Sequence, residues 1–313
     1  MGHHANGRLL LLMLTVLILT RDEERHIERA IRSVKPFAER IVVIDSFSAD
    51  RTVEIALATG AEVLQQTFTS HARQFEWGVR QADIRTEWLM RLDADEVIGA
   101  ELAEEICETL PAMAADVSGI ALKRKQIFLG RWIRHGGRYP LVLTRIWRHG
   151  RGRVEDRWMD EHVVIDGGRI VCLQQPFADH NLNDLGFFVE KHNRYATREA
   201  VEILNRRHGL FQREIRGRQD QTAPGVARKR WIKEQVYDRM PFPLAALGYF
   251  LFRYVVQLGF LDGREGLIYH GLQGFWYRFL VGAKVFEWER ALRRHVTAEN
   301  KRNELARLTG LSL

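Results

Sequence analysis

The chain has 313 residues, 46% of them hydrophobic and 28% charged, a composition that supports a hydrophobic core and excludes general disorder. Its formal net charge of +7 favours anionic partners such as nucleic acid, an anionic membrane face or a phosphorylated substrate, without choosing among them. The two cysteines, Cys107 and Cys172, lie outside any CxxC or Cys/His cluster, which argues against a disulfide framework and against a structural zinc site.

The first apolar run, from Leu9 to Leu19, suits either a signal peptide or a buried strand. No small-residue cleavage site follows it, and the run is too short to span a bilayer. Its second half, from Leu14, is rich in Val and Ile. We therefore predict a strand that is buried on both faces.

The segments that follow alternate between helical and strand-like patterns. Apolar residues at helical spacing predict a helix that begins near Glu24 and ends before Pro36. Short apolar runs predict strands at 41–44, 62–64 and 88–92, and helical patterns occur at 52–59, 74–82 and 102–110. This order predicts an α/β fold with a mostly parallel mixed sheet flanked by helices. In such folds ligands bind at the carboxyl ends of the strands.

The strongest chemical signal is the acidic turn Asp93-Ala94-Asp95-Glu96, which follows the strand at 88–92. Two converging carboxylates can hold a hard cation such as Mg²⁺ or Mn²⁺ and leave positions for phosphate oxygens. The alternative is a turn that caps a helix, because short D-x-D triplets also arise by chance. The position after a buried strand favours a metal site with Asp93 and Asp95 as ligands.

Polar residues also end the first two predicted strands. Asp45 lies at the tip of the second strand, where its carboxylate can accept hydrogen bonds from a nucleotide base or ribose. Thr20 and Glu23 end the first strand and would line the same crevice. Asp50 is predicted instead to cap the helix that begins at Thr52.

A third group of polar residues lies at Asp160-Glu161-His162. An attacking acceptor hydroxyl must lose a proton, and either Asp160 or Glu161 has the chemistry of the general base that takes it. The alternative is a charged loop before a strand. His180 is a candidate third metal ligand, against the alternative of a structural histidine.

Together these segments resemble glycosyltransferase family 2, whose members have the GT-A fold. The matching segments are 19–24 with Ile27, 43–52 and 88–96, and the resemblance covers residues 12–270. The more distant segments 160–162 and 259–266 are similar to those of bacterial lipopolysaccharide-core glucosyltransferases of the same family.

The resemblance implies an inverting, single-displacement sugar transfer from a nucleotide-sugar, with a UDP-sugar as the expected donor and Mg²⁺ or Mn²⁺ as the cofactor. The residues carried over to the donor site are Thr20, Glu23, Asp45, Gln74 and Asp93, and Asp95 would bind the metal. The resemblance favours Glu161 over Asp160 as the base, because it precedes a Val-Val-x-Asp-Gly strand. Asp22 departs from the family pattern, which usually has Asn there.

The last third of the chain is basic over 206–233, and apolar and aromatic over 241–288. The stretch 243–261 approaches spanning length, but Arg253 near its middle costs about 2.5–3.5 kcal/mol on insertion scales. A segment in the headgroup region of an anionic membrane fits better than a span, and a helical subdomain packed on the catalytic core is the alternative.

We therefore predict a catalytic domain over 1–205 and a helical, membrane-associated region over 206–313. The expected location is the inner face of the cytoplasmic membrane, and the expected acceptor is a lipid-linked or cell-envelope glycan.

Two other functions fit parts of the sequence. A nucleotidyltransferase would use the same metal carboxylates but attack phosphorus, and the Gly-rich, Arg/Lys-containing loop that such enzymes often use after the first strand is missing at 20–24. A binding protein for anionic polymers would use the basic stretch, but the sequence contains no recognisable nucleic-acid module. Transfer from a nucleotide-sugar, with no nucleic-acid partner, is the favoured prediction.

Overall fold

A computed structural model describes residues 13–155, 162–211, 240–311 and 313. The chain divides into two compact units, one that ends at Asn183 and one that begins at Asp184. The division falls before the predicted boundary at residue 205, because the long helix that starts at Leu185 belongs to the second unit. The predictions that 1–205 is catalytic and that 206–313 binds a membrane concern function, and the division into two compact units does not test them.

The first part of the first unit alternates strands and helices, as the sequence predicts. Its elements are β1 Leu14–Thr20, α1 Ile27–Val34, β2 Arg40–Asp45, α2 Thr52–Ala58, β3 Glu62–Gln65, α3 His71–Gln81, β4 Trp88–Asp93, β5 Glu96–Ile98 and α4 Ala100–Thr109. A short 3₁₀ turn follows over Leu110–Ala112.

The second part of this unit is built from strands. They are β6 Val117–Phe128, β7 Arg131–Trp132, β8 Leu141–Arg148, β9 Gly152–Val154, β10 Val163–Ile165 and β11 Arg169–His180. The main sheet has the order β3-β2-β1-β4-β8-β6-β11-β5, with β7 beside β6, while β9 and β10 form a separate pair.

The main sheet is mixed, as predicted, but parallel pairing dominates only in its first half. Strands β3, β2, β1 and β4 are parallel neighbours. Beyond β4 the pairs β4–β8, β6–β8 and β5–β11 are antiparallel, and only β6–β11 is parallel. Parallel neighbours need a long crossover, usually a helix, whereas the connection from β6 to β8 contains only the short strand β7.

Strand β1 is the centre of the parallel half, and all seven of its residues are buried. Its side chains alternate between two cores, as a strand covered on both faces requires. Val16 and Ile18 pack with α1 and α4, while Leu17 and Leu19 pack with α3. The continuous apolar run in the sequence is therefore explained by burial on both sides.

Helix α3 lies unusually close to β2. A Cβ atom on Gly78 would lie 1.8 Å from Cδ1 of Ile44, so only glycine allows this approach. Gln74 lies one turn earlier on the same helix and reaches the end of β2. This contact sets the height of α3 over the strand ends.

The second unit is helical over its described residues. We label its helices α5 Leu185–His208, α6 Phe242–Leu251, α7 Gly263–Tyr269, α8 Tyr277–Leu292 and α9 Ala298–Thr309. A π-helical turn over Phe252–Val256 extends α6, a 3₁₀ turn covers Gly259–Asp262, and a second π-helical turn over His270–Trp276 joins α7 to α8. Helix α5 begins at the cap Asp184 and ends at Gly209, whose φ is 61°.

Glu199 links α5 to α8, since it accepts hydrogen bonds from Tyr277 at 2.6 Å and from Arg278 at 2.9 Å. In the described part of the chain, every helix taken singly falls short of the length and apolarity needed to cross a bilayer. Two segments bent by 73°, Phe242–Val256 and Gly259–Leu292, meet the criterion together. Most of the predicted basic stretch lies outside the described residues.

Candidate active site

Three neighbouring parallel strands end at the same edge of the sheet, and each carries a predicted site residue there. The register pairs Thr20 on β1 with Asp45 on β2, and Leu19 on β1 with Asp93 on β4. Residues from three separate segments are thus brought together at the carboxyl ends of the strands, where α/β sheets bind ligands.

Asp45 is fully buried and holds the turn that follows β2. Its Oδ1 accepts a hydrogen bond from the Thr20 hydroxyl at 3.2 Å and another from the Ser48 hydroxyl. Its Oδ2 accepts from the Ser48 backbone N–H at 2.9 Å and from the Gln65 amide at 3.0 Å. A nucleotide group that bonds to Asp45 would have to share or replace one of these donors.

Gln74 is also buried at this edge. Its Nε2 donates to the Ser46 hydroxyl at 2.6 Å and to the Ile44 carbonyl at 3.2 Å. Gln74 therefore braces the last residues of β2 from above. Its predicted contact with the donor stays a prediction.

Glu23 is oriented by His26. The Leu182 backbone N–H donates to Nε2 of His26 at 2.8 Å, so the proton of the neutral ring lies on Nδ1. Nδ1 then donates to the Glu23 carboxylate at 2.6 Å. This buried histidine ties the loop after β1 to the segment that follows β11.

Asp93 lies between two arginines. Arg145 donates to its Oδ2 at 3.1 Å, and Nε of Arg91, two residues earlier on the same face of β4, lies 3.4 Å from its Oδ1. Arg145 also contacts Glu96, whose other carboxylate oxygen accepts from the Asp93 backbone N–H at 3.0 Å. The Asp93 side chain is 37% exposed, so it remains reachable by a ligand.

The pKa values of the two carboxyl groups of this cluster, Asp93 and Glu96, are shifted in opposite directions. Burial alone would raise the pKa of Asp93, but the charges of Arg145 and Arg91 outweigh it and hold the pKa well below its usual range. For Glu96, burial outweighs the attraction of Arg145, and the Asp93 charge adds to it, so the pKa is raised. Asp93 is therefore the carboxylate that keeps its charge for a ligand or cation.

Asp95 is half-buried and lies beside the end of β11. Its Oδ2 accepts from the Asn181 amide at 3.0 Å, and its backbone carbonyl accepts from the His180 N–H at 2.9 Å. Arg29 on α1 donates to Nδ1 of His180 at 3.2 Å, which leaves Nε2 as the ring nitrogen that could bind a metal. Burial and the Arg29 charge both lower the pKa of His180, so its neutral form is favoured.

The described residues contain no group of three His, Cys, Asp or Glu side chains that could hold a metal ion. Asp93, Asp95 and His180 thus do not form one three-ligand cluster. Mg²⁺ is usually bound by one or two carboxylates together with waters and substrate phosphates. Asp95 and Asp93 fit that donor set, so a cation shared with a diphosphate suits this site.

Asp160 and Glu161, the two candidate bases, lie outside the described residues. The strands on either side of their segment are defined: β9 and β10 pair antiparallel, and the Glu155 N–H donates to the His162 carbonyl at 2.9 Å. Strand β9 packs against α3, the helix that carries Gln74. The choice between the two bases stays open at this point.

Sequence reasoning missed Arg145, Arg91 and His26. The first two carried a readable signal, because an arginine inside an otherwise apolar strand is expected to need an acidic partner. Arg145 lies next to Ile146, which pairs with Met90 on β4, and this pairing is what brings it to Asp93. His26 carried no such signal, since its partner Leu182 contributes only a backbone N–H.

Comparison with known proteins identifies the family to which this chain belongs. An uncharacterized glycosyltransferase of Rickettsia bellii is 37% identical over 100 residues, 32% of this chain and 33% of that protein. Another, of Rickettsia typhi, is 34% identical over 93 residues, 30% of this chain and 31% of that protein. The chain thus spans about a third of the length of these curated relatives.

Among solved structures, glucosyl-3-phosphoglycerate synthase from Mycobacterium tuberculosis with Mn²⁺, UDP and glucosyl-3-phosphoglycerate is 18% identical, with a TM-score of 0.31. The match covers 40% of this chain and 50% of that one, and at this score it carries no information on donor, metal or acceptor.

The sequence model of Glycosyl transferase family 2 matches residues 15–180, more than half of the chain. The match begins in β1 and ends at His180, the last residue of β11, and thereby includes every described residue of the candidate site. The chain belongs to glycosyl transferase family 2.

Proposed function

We propose that the chain is an inverting glycosyltransferase that moves a sugar from a nucleoside-diphosphate donor, with a UDP-sugar favoured, to an acceptor hydroxyl. The observation that carries the proposal is the meeting of Thr20, Asp45 and Asp93 at one edge of the sheet, with Asp95 in the following turn. Membership of the family supports the reaction class.

The positions of the strand ends suggest which residues would bind each part of the donor. The buried turn at Asp45 would receive the nucleoside, and the exposed face of Asp93 and Asp95 would receive the diphosphate. A divalent cation, when bound by Asp95 and Asp93, would stabilise the charge on the diphosphate leaving group. Arg145 and Arg91 would keep Asp93 ionised and in place.

The acceptor hydroxyl must lose its proton as it attacks the anomeric carbon, and we assign that proton to Glu161 in preference to Asp160. The segment that carries both residues begins and ends on the strand pair β9–β10. Strand β9 packs against α3, the helix that carries Gln74.

We further propose a lipid-linked or cell-envelope glycan as the acceptor, as in bacterial lipopolysaccharide-core synthesis, and a position on the inner face of the cytoplasmic membrane. The basic stretch at 206–233 would attract anionic lipid. The second unit supports the same location, because many of its large apolar side chains are exposed.

The test is donor hydrolysis by the purified full chain in detergent against UDP-, GDP- and dTDP-sugars, with Mn²⁺, with Mg²⁺ and with EDTA. The expected result is release of one nucleoside diphosphate that stops in EDTA. Release of pyrophosphate from a nucleoside triphosphate would instead identify a nucleotidyltransferase. Absence of release, combined with absence of nucleotide-sugar binding by calorimetry, would contradict the proposal.

A further inference from the structure

The first segment of the bent helix pair and the turn that follows it, residues 242–262, have their charged residues buried and many large apolar residues exposed. Within 241–263 the only charged residues are Arg253 and Asp262. Both are buried, at 4% and 3% exposure. In proteins that are surrounded by water, charged side chains are rarely buried.

Arg253 is held by groups of the helix pair itself. Its Nη1 donates to the Tyr249 hydroxyl at 3.0 Å and to the Gln273 side-chain carbonyl at 3.2 Å. The hydrogen bond to Gln273 connects the first segment, Phe242–Val256, to the second, Gly259–Leu292. The guanidinium is therefore turned inward, between the segments, and away from the surroundings.

The residues turned outward are large and apolar. Val256 is 68% exposed, and the others range from 38% to 56%. They are Leu244, Leu247, Leu251, Phe252, Val255, Leu258, Phe260, Leu261, Leu267 and Ile268. The exposed apolar residues run from the first segment around the turn at 257–262, and they resume on α7 after the exposed Arg264. An apolar surface such as that of residues 244–261 is expected where hydrocarbon, and not water, surrounds the chain.

Small residues allow the two segments to pack closely. A Cβ atom on Gly282 would lie 2.5 Å from the Phe242 side chain, and one on Gly274 would lie 3.8 Å from Cα of Phe250. Helices in lipid associate through such small residues, since burial from water does not drive their contact there. The close packing of the two segments therefore fits a lipid environment, as their exposed apolar surface does.

The dimensions exclude a simple crossing by the first segment. Residues 242–256 rise about 22 Å at 1.5 Å per residue, less than the hydrocarbon thickness of about 30 Å. The chain then turns, with a bend of 73° between the segments. A segment that enters and turns back satisfies both observations.

We propose that the exposed apolar side chains of residues 244–261 enter the lipid bilayer from one face without crossing it, while the exposed Arg264 lies at the level of the headgroups. Arg253 stays bonded between the segments while the apolar side chains contact acyl chains. The proposal deepens the membrane location given under the proposed function, and it does not depend on the transfer chemistry. A second copy of the chain is a less fitting occupant, because the exposed residues continue around the turn and are not confined to one helix face.

The test places a fluorescent label at the turn. In a chain carrying Cys107→Ser and Cys172→Ser, Phe260→Cys is labelled with an environment-sensitive dye and mixed with phosphatidylcholine–phosphatidylglycerol vesicles. The matched control is Val296→Cys, at a residue that is 94% exposed between α8 and α9. We expect the label at residue 260 to be quenched by acyl-chain nitroxide lipids and protected from iodide, and the label at residue 296 to behave in the opposite way.

Three outcomes would overturn the proposal. Equal quenching of both labels by iodide would show that the turn stays in water. Protection without nitroxide quenching, increasing with protein concentration, would show that a second copy covers the surface. Quenching at residue 260 by iodide trapped inside the vesicles would show a crossing and not a return.

A substitution separates this inference from the proposed function. Val256→Glu should reduce vesicle binding about tenfold or more, since a carboxylate is strongly disfavoured in hydrocarbon, whereas Val296→Glu should not change it. Donor hydrolysis in detergent should be unchanged in both variants. Unchanged vesicle binding by Val256→Glu, in a chain with a native circular dichroism spectrum, would contradict the insertion whatever the transferase assay gives.

Discussion

Arg145 donates a hydrogen bond to the carboxylate of Asp93 at 3.1 Å, across 52 residues of sequence. The same guanidinium contacts Glu96, so one arginine on β8 holds both ends of the acidic turn after β4. A buried charge with two acidic partners makes this turn rigid before any donor arrives, and the arrangement leads to the first prediction.

Replacing Arg145 by Met would leave the buried Glu96 without its arginine partner and Asp93 with Arg91 alone. We expect the free energy of unfolding to fall by about 3 kcal/mol, the scale for breaking a buried ion pair. Arg145→Lys should lose less, because it keeps the charge but not the two-pronged geometry. Urea denaturation measures both. The control Arg169→Met, which breaks an exposed pair with Asp116, should change stability by less than about 1 kcal/mol. Equal losses in the two positions would show that Arg145 carries no special role.

Asp95→Asn should remove the metal dependence of donor binding. The variant keeps the shape of the side chain and its contact with Asn181, but it loses the negative oxygen that a hard cation prefers. We expect UDP affinity in Mn²⁺ to fall about tenfold or more, to the level that the unmodified chain shows in EDTA. Calorimetry with Asp116→Asn, an exposed carboxylate far from this turn in sequence, provides the comparison. A variant that still binds UDP more tightly with Mn²⁺ would remove Asp95 from the metal site.

Glu161→Gln should slow sugar transfer without weakening donor binding. Loss of a general base lowers the rate by about 10²–10⁴-fold, because the proton of the acceptor hydroxyl then has no positioned acceptor. Transfer rates with saturating donor and the Michaelis constant for the donor are the two readouts. Asp160→Asn should have a much smaller effect. The reverse order of the two variants would assign the base to Asp160.

Gly78→Ala should destabilise the first unit and displace Gln74. The new methyl group would lie 1.8 Å from Cδ1 of Ile44, so α3 must move away from β2. Overpacking of this kind costs about 1–3 kcal/mol. Gly248→Ala, on α6, meets no atom within 4 Å and should stabilise its helix by up to about 1 kcal/mol. Chemical denaturation of the two variants gives the comparison, and a stabilising Gly78→Ala would contradict the close contact.

Asp50 should contribute stability that depends on pH. Burial raises its pKa, but hydrogen bonds from Thr52 and from the Glu24 backbone outweigh burial and lower the pKa below the ordinary 3.8. A carboxyl group with a lowered folded pKa stabilises the fold above its unfolded pKa, and that stability is lost as the pH falls through the folded value. Asp50→Ala should therefore cost about 1 kcal/mol at neutral pH. The difference from the unmodified chain should shrink below pH 3.8. A difference that is constant with pH would mean that the side chain acts through packing alone.

Local sequence patterns were enough to predict the first half of the catalytic unit. The continuous apolar run in β1 and the helical spacing from Ile27 to Val34 are produced by burial that each segment needs by itself. The polar residues at the strand ends could also be predicted as one site, because parallel strands end at the same edge. Asp50 accepts a hydrogen bond from the Thr52 backbone N–H at 2.9 Å, but the residue at the N-cap position of α2 is Arg51, and not Asp50 as predicted.

Contacts between distant segments could not be predicted in the same way. The antiparallel half of the sheet depends on which strands meet, and an apolar run such as the one in β8 is equally suited to either direction. For His180, the sequence suggested a metal ligand, whereas its nearest partner in space is Arg29, on a helix 151 residues away.

The sequence by itself determined the order of the elements up to residue 110, the family and the acidic turn at Asp93–Asp95, because these depend on short-range periodicity and on residues close together in the chain. Only the tertiary structure decided which charge faces which. It pairs Asp93 with Arg145, and it turns Arg253 inward between two helical segments. The physical reason is that burying a charge is very costly unless a partner is in place, and the fold can supply that partner from anywhere along the chain.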